Sequence, residues 1–163
     1  MNKSIVLCGF MGSGKSTLGK ELAALLQYDF IDMDTYIEQN EGLSVSQIFA
    51  QKGEEYFRAA EAKACEVFSL QENTVIAAGG GALTFPKNAS ILKERCRVVW
   101  LDTPLEVIEQ RLASDNSRPL FDMHTARALY EERKPLYEQA SHIRANGAVT
   151  AAEIYSLLIG ENQ

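Results

Sequence analysis

The chain has no apolar run approaching the ~20 residues a helix needs to span a bilayer, so no membrane partner is expected. It has no basic excess either: 16 Lys and Arg stand against 22 Asp and Glu, a formal net charge of −6. Nucleic-acid binders hold phosphate backbones through basic surface, and no nucleic-acid partner is expected here. A small anion bound by so acidic a chain has to be met by a few arginines gathered in one cleft. Cysteine is scarce. Cys8, Cys65 and Cys96 are odd in number and lack metal-ligand spacing, so they read as buried thiols and exclude a disulfide framework. No repeat, low-complexity tract or linker divides the 163 residues. One domain over 1–163 is expected, large enough to bury roughly two thirds of its unfolded surface. The opening MNKSIVLCGF runs directly into a glycine-rich loop that a cleaved signal would remove, so a cytoplasmic location is expected. No long apolar stripe offers an interface, and a monomer is expected.

What is present is an alternation. Five short apolar runs (SIVLC, YDFIDM, TVIAA, RVVWL and a weaker HIRA) are separated by helical patterns. Such runs read as buried parallel strands, and their spacing predicts an α/β sheet covered by helices. Thr103-Pro104-Leu105-Glu106 and Thr150-Ala151-Ala152-Glu153 read as capping boxes, with Ser44-Val45-Ser46-Gln47 a weaker third. Between the helix after Thr103 and one expected near Thr125 lies LASDNSRPLFDMH, residues 112–124. It is polar, holds a proline and has no core-facing period, which predicts a lid able to close over a reaction and exclude water.

Gly9-Phe10-Met11-Gly12-Ser13-Gly14-Lys15-Ser16 fits G-x-x-x-x-G-K-[ST], with a strand pattern before it and a helix pattern from Thr17 after it. Within this phosphate loop, residues 9–17, the backbone around Gly12, Ser13 and Gly14 wraps an anion and the helix N-terminus at Thr17 faces it. Lys15 would reach the β- and γ-phosphates, and Ser16 would ligate Mg2+. The loop alone allows a switch GTPase, a motor or a small-molecule kinase. No N-K-x-D segment follows, and the chain is short for a motor, so a small-molecule kinase leads.

Acceptor residues come from elsewhere. The second strand ends FIDMD, and at strand spacing Asp32 and Asp34 would share a face where open α/β sheets bind ligands. One carboxylate would serve magnesium through water, the other would take or orient a proton; Asp34 alternatively caps the next helix. Asp102, ending RVVWLD, competes for the metal, but it directly precedes a helix start, and Asp32 ranks above it. Arg58 and Glu61 are three apart on a helix. Spacing alone favours a surface ion pair worth ~0–1 kcal/mol over a guanidinium fork held ready for a carboxylate. Gly79-Gly80-Gly81 at a strand end implies a positive φ, a tight turn, or a substrate lying on bare backbone. Arg118, in the suspected lid, is placed to stabilise charge on a transferring phosphoryl group. Arg133 stands two residues before Pro135, where its helix is expected to kink or end.

Together, GFMGSGKST, the DMD after the second strand, FRAAE, AGGGAL, SRPL and ERKPLY closely resemble the shikimate kinase family over essentially the whole chain. The resemblance implies a nucleoside-monophosphate-kinase-like, three-layer α/β fold whose five-stranded parallel sheet runs 2-3-1-4-5. It implies phosphoryl transfer from ATP, with Mg2+, to the 3-hydroxyl of shikimate in aromatic amino-acid biosynthesis. By matching motif positions, Asp34 would hold the acceptor hydroxyls and act as base, within a substrate-binding region of about 33–61. Arg58 and Arg133 would clamp the carboxylate over Gly80 and Gly81. Lys15 and Arg118 would stabilise the moving phosphoryl group, and Ser16 and Asp32 would serve magnesium. Arg111 would stack on adenine, although a solvated helix-end cation explains it as well. Two positions depart from the pattern: Ala77 stands where many relatives have serine, and RANGAVTAAE lacks a proline common in the nucleotide loop. A gluconokinase-like enzyme and a catalytically silent nucleotide-binding regulator are the alternatives; FRAAE, GGG and RKPLY speak against the first, and the full phosphoryl-transfer set against the second.

Overall fold

The computed structural model describes residues 3–114 and 123–160. Its strands are β1 (Ile5–Cys8), β2 (Asp29–Asp32), β3 (Thr74–Ala77), β4 (Arg97–Asp102) and β5 (Ile143–Asn146). The helices are α1 (Lys15–Leu26), α2 (Met33–Glu41), α3 (Val45–Lys52), α4 (Glu54–Phe68), α5 (Pro86–Arg95), α6 (Leu105–Ala113), α7 (Met123–Ala140) and α8 (Ala151–Gly160). All strand pairs are parallel, and the order is β2-β3-β1-β4-β5. All five expected strands form.

Strand side chains alternate between faces, and two hydrophobic clusters follow from that. Val6, Cys8, Ile76, Val98 and Trp100 point into a core shared with α2, α4, α5, α6 and α7. Ile5, Leu7, Val75, Val99 and Leu101 point the other way, onto α1 and α8. This makes three layers. Both faces of β1 and β3 are covered, which is why their sequences read as unbroken apolar runs. At the edge, β5 alternates buried and exposed residues, and its run was correspondingly weak. Truncating a fully buried Leu22 or Leu7 to alanine costs ~2–5 kcal/mol.

Two of the three predicted capping boxes are closed. Ser44 and Gln47 exchange both bonds, as do Thr150 and Glu153 at 2.7 and 3.2 Å. The third is not. Thr103 is buried, and its hydroxyl donates to the Ser13 carbonyl at 3.3 Å, so it braces the phosphate loop while Pro104 starts α6 uncapped. Of the two outcomes expected for the helix carrying Arg133, ending does not occur: α7 continues through Pro135 to Ala140. A proline there removes one backbone bond, to the Glu131 carbonyl. The deep burial of Tyr137 and Ala140 holds the last turns of the helix against the core.

The three cysteines are buried, and burial pushes the Cys8 and Cys65 thiols up to about 12, far from reactive thiolates. Among the described residues no helix is long and apolar enough to cross a membrane. Most of the expected lid lies outside the described residues; its flanks are the last turn of α6 and the first of α7.

Candidate active site

The phosphate loop joins β1 to α1 at the carboxyl edge of the sheet. Gly12 and Gly14 have φ of +76° and +93°, a left-handed geometry that side chains resist, which explains glycine at both. Lys15 Nζ reaches back to the Gly9 and Phe10 carbonyls at 2.7 and 3.1 Å. Arg111, from the end of α6, donates from Nη1 to the Gly12 carbonyl at 3.0 Å. The Ser13 side chain is buried, and its hydroxyl finds no partner among the described residues.

Beside the loop, the Ser16 hydroxyl donates to Asp32 Oδ2 at 2.5 Å. The expected placing of Asp32 and Asp34 on one strand face is corrected here. β2 stops at Asp32, which is the N-cap of α2 and accepts the Thr35 N–H through Oδ1 at 3.1 Å. Asp34 sits inside the first helical turn. So Asp32, not Asp34, does the capping, and it does so while holding Ser16. Asp102 is elsewhere: Arg144 donates to its Oδ2 from Nε at 2.9 Å and from Nη2 at 2.5 Å, the guanidinium lying 4.9 Å from the Trp100 ring. Asp102 lines no part of the cleft.

The glycine run after β3 forms the floor opposite. None of its three members has positive φ, so close approach explains them instead. A Cβ on Gly79 would lie 2.7 Å from Glu61 Oε2 and 3.0 Å from Asp34 Oδ1. One on Gly81 would lie 2.7 Å from Arg58 Nη1 and 3.1 Å from Arg133 Nη2. Two carboxylates and two guanidiniums therefore crowd against three residues of bare backbone.

Arg58 and Glu61 do meet, at 2.6 Å, but not as a surface pair: Glu61 is 1% exposed. Burial pushes the Glu61 carboxyl above its ordinary range, and the Arg58 hydrogen bond opposes that shift. Arg58 also lies near the Phe57 and Phe85 rings, 5.6 and 5.2 Å from their centroids, and Arg133 lies 5.9 Å from the Phe10 ring. Such rings orient a guanidinium plane while leaving its edge for a carboxylate.

Asp32, Asp34, Arg58, Glu61 and Arg133 line one cleft of about 500 Å³, which also takes in Gly12, Gly14, Lys15, Ser16, Thr17, Gly80 and Gly81. Of the residues singled out from the sequence, Arg118 lies outside the described residues, and Arg111 meets the phosphate loop from outside the cleft. The sequence reading missed Tyr137, whose hydroxyl bonds the Gly80 carbonyl, and the apolar wall of Val45, Phe49 and Phe57. Tyr137 had a usable signal, standing four residues after Arg133 on the same helical face.

The family model that matches the chain, over residues 11–161, is that of shikimate kinase. A shikimate kinase of Sulfurihydrogenibium sp. is 45% identical over 146 residues, 88% of this chain and 87% of the relative. One of Persephonella marina is 44% identical over 140 residues, 85% of each. Among solved structures, shikimate kinase from Acinetobacter baumannii in complex with shikimate aligns with a TM-score of 0.89 at 36% identity, covering 99% of this chain and 95% of that one. A gluconokinase from Sinorhizobium meliloti shares the fold, at TM-score 0.63 and 21% identity over 99% and 95% of the two chains.

Proposed function

The chain belongs to the shikimate kinase family, and from that premise we propose how its own residues carry out the ATP-dependent phosphorylation of shikimate that is its reaction. The observation that carries the assignment of roles is the convergence of Asp34, Arg58 and Arg133 on Gly79–Gly81, directly beside the phosphate loop.

Arg58 and Arg133 bind the shikimate carboxylate, with Gly80 and Gly81 as its bed. Glu61 and the flanking rings hold Arg58 in plane, so little side-chain entropy is lost on binding. Asp34 then faces the ring hydroxyls. It orients the 3-hydroxyl toward the γ-phosphorus and takes its proton as the new P–O bond forms and ADP departs. Gly12, Ser13, Gly14 and Thr17 supply backbone to the phosphates. Lys15 and Arg118 meet the charge on the transferring group, and the lid, residues 112–124, excludes water. Arg111 reaches the nucleotide side of the loop.

ATP is the co-substrate, and Mg2+ belongs to the proposal. Ser16 and Asp32 present a hydroxyl and a carboxylate 2.5 Å apart, hard oxygen donors of the kind Mg2+ prefers. Those two residues would hold it, Asp32 through water, and the bound ion would neutralise charge on the phosphate oxygens. We further read the chain as one kinase domain, monomeric and cytoplasmic, without nucleic-acid or membrane partners.

The test is coupled ADP release with ATP and Mg2+, comparing shikimate, gluconate and no acceptor. Shikimate-dependent release is expected. Background release with shikimate would mean that the acceptor cleft is misread, and shikimate binding without release would revive a regulatory domain.

A further inference from the structure

Three consecutive glycines form the least restrained backbone a chain can have, yet here they floor a site that needs fixed geometry. Their carbonyls are all held, by different means. Gly79 O accepts the Ala82 N–H at 3.1 Å, and Gly81 O accepts from Thr84 N and Oγ1 at 3.2 and 2.6 Å. Those are local turn bonds. Gly80 O is different: among the described residues it accepts from the Tyr137 hydroxyl, 57 positions away, at 2.5 Å.

We propose that Tyr137 is a positioning residue for the acceptor, aiming the Gly81 N–H into the carboxylate site by holding the carbonyl of Gly80. This rests on the reading that Gly80 and Gly81 bed the shikimate carboxylate. The peptide joining them is a planar trans amide, so its C=O and N–H point in opposite directions. Fixing the oxygen on one side fixes the N–H on the other. Both glycines line the cleft, so a released carbonyl has water to turn toward, and no local side chain resists the turn.

The rest of the geometry agrees. Tyr137 is 2% exposed and its ring lies 6.2 Å from that of Trp100, so packing holds the ring in place while the hydroxyl meets the Gly80 carbonyl. Burial keeps the phenol well above its ordinary pKa, so it remains a donor throughout the working range. One turn earlier on α7, Arg133 reaches the Gly81 side of the same peptide. A single helix therefore sets both a guanidinium and the backbone donor beside it. Pro135 lies between them and removes a helical hydrogen bond, and the Tyr137 bond ties the helix to the glycine floor just past that weak point.

Steady-state kinetics of Tyr137→Phe test this, with p-aminophenylalanine at position 137 as the variant that keeps a donor. Loss of one buried hydrogen bond predicts a shikimate KM raised about tenfold, with kcat and the ATP KM within about twofold, and the amino variant returning most of the way. A role in packing alone would lower the melting temperature and leave the two KM values in proportion. An unchanged shikimate KM, or an ATP KM rising equally, overturns the proposal. If Tyr137→Phe melts below the assay temperature, the amino variant decides, and a tenfold higher shikimate KM there also overturns it. A failed reading of the cleft looks different: Arg133→Lys would leave the shikimate KM unchanged.

Discussion

The Ser16 hydroxyl donates to one oxygen of the Asp32 carboxylate at 2.5 Å, while the other oxygen caps α2 through the Thr35 N–H at 3.1 Å. One side chain thus ties the first residues of α1 to the start of α2, and its two duties can be separated. Asparagine caps as well as aspartate but brings no charge. Asp32→Asn should melt like the parent and need ~10–100-fold more Mg2+ for half-maximal activity, the scale of lost support for a metal. Asp32→Ala should add a stability loss of ~1 kcal/mol for the missing cap. Magnesium titrations beside thermal melts check both; an unchanged Mg2+ requirement in Asp32→Asn would remove Asp32 from the metal.

Gly81 separates function from fold in another way. Its φ of −101° suits any residue, so Gly81→Ala carries no backbone strain. The new methyl would instead stand 2.7 Å from Arg58 Nη1 and 3.1 Å from Arg133 Nη2, the far ends of flexible side chains that can move aside. Moving them would disrupt the proposed carboxylate clamp. The shikimate KM should rise ~10–100-fold, the loss of one or two charge-assisted hydrogen bonds, with the melting temperature and ATP KM little changed. Gly12→Ala, forced into φ of +76°, should do the reverse and weaken ATP first.

His142 predicts a pH dependence of stability. Its Nδ1 accepts the Val98 N–H at 3.0 Å, completing β4 just before β5 begins, and only the neutral ring can accept. Burial, with Arg97, Lys93 and Lys3 nearby, holds its pKa below the ordinary 6.5. The unfolded chain therefore takes up a proton first as pH falls. The stability His142 lends is present above pH 6.5 and is lost progressively below it, until the folded ring also protonates. Melting temperatures from pH 7.5 to 5.5 should fall more steeply for the parent than for His142→Asn. Parallel curves would show that the ring carries no such linkage.

Much of this was legible in the sequence, and for identifiable reasons. β1, β3 and β4 were visible because burial on both faces demands unbroken apolar runs, the edge strands β2 and β5 less so because part of each is exposed, and the phosphate loop because its glycines answer to φ. Thr103 misled because a capping box is a local pattern; here a tertiary bond from its hydroxyl to the Ser13 carbonyl won. Asp34 misled because strand spacing was carried one turn too far, past the cap at Asp32. Arg58 and Glu61 looked like a surface pair because spacing says nothing of burial. The hold of Tyr137 on Gly80 joins residues 57 apart, and no local pattern encodes it.

Asp34 is the residue on which the proposed chemistry turns. It stands in the first turn of α2, its Oδ1 within 3.0 Å of where a Gly79 side chain would begin, in the same cleft as the lysine of the phosphate loop. Its carboxylate can accept a hydroxyl proton; an amide of the same size can hold the hydroxyl in place but takes no proton. Asp34→Asn should therefore keep ATP affinity and most shikimate affinity while kcat falls by ~10²–10⁴, the range for a lost general base. Separate binding titrations for the two ligands, alongside ADP release, distinguish this from a folding defect. A kcat near the parent's would place the proton elsewhere, on solvent or on the phosphoryl group itself, as a loose transition state with little charge on the attacking oxygen permits. Asp34 would then act by orienting the hydroxyl alone, a duty the asparagine amide also serves, and the loss would appear only in Asp34→Ala, in the shikimate KM.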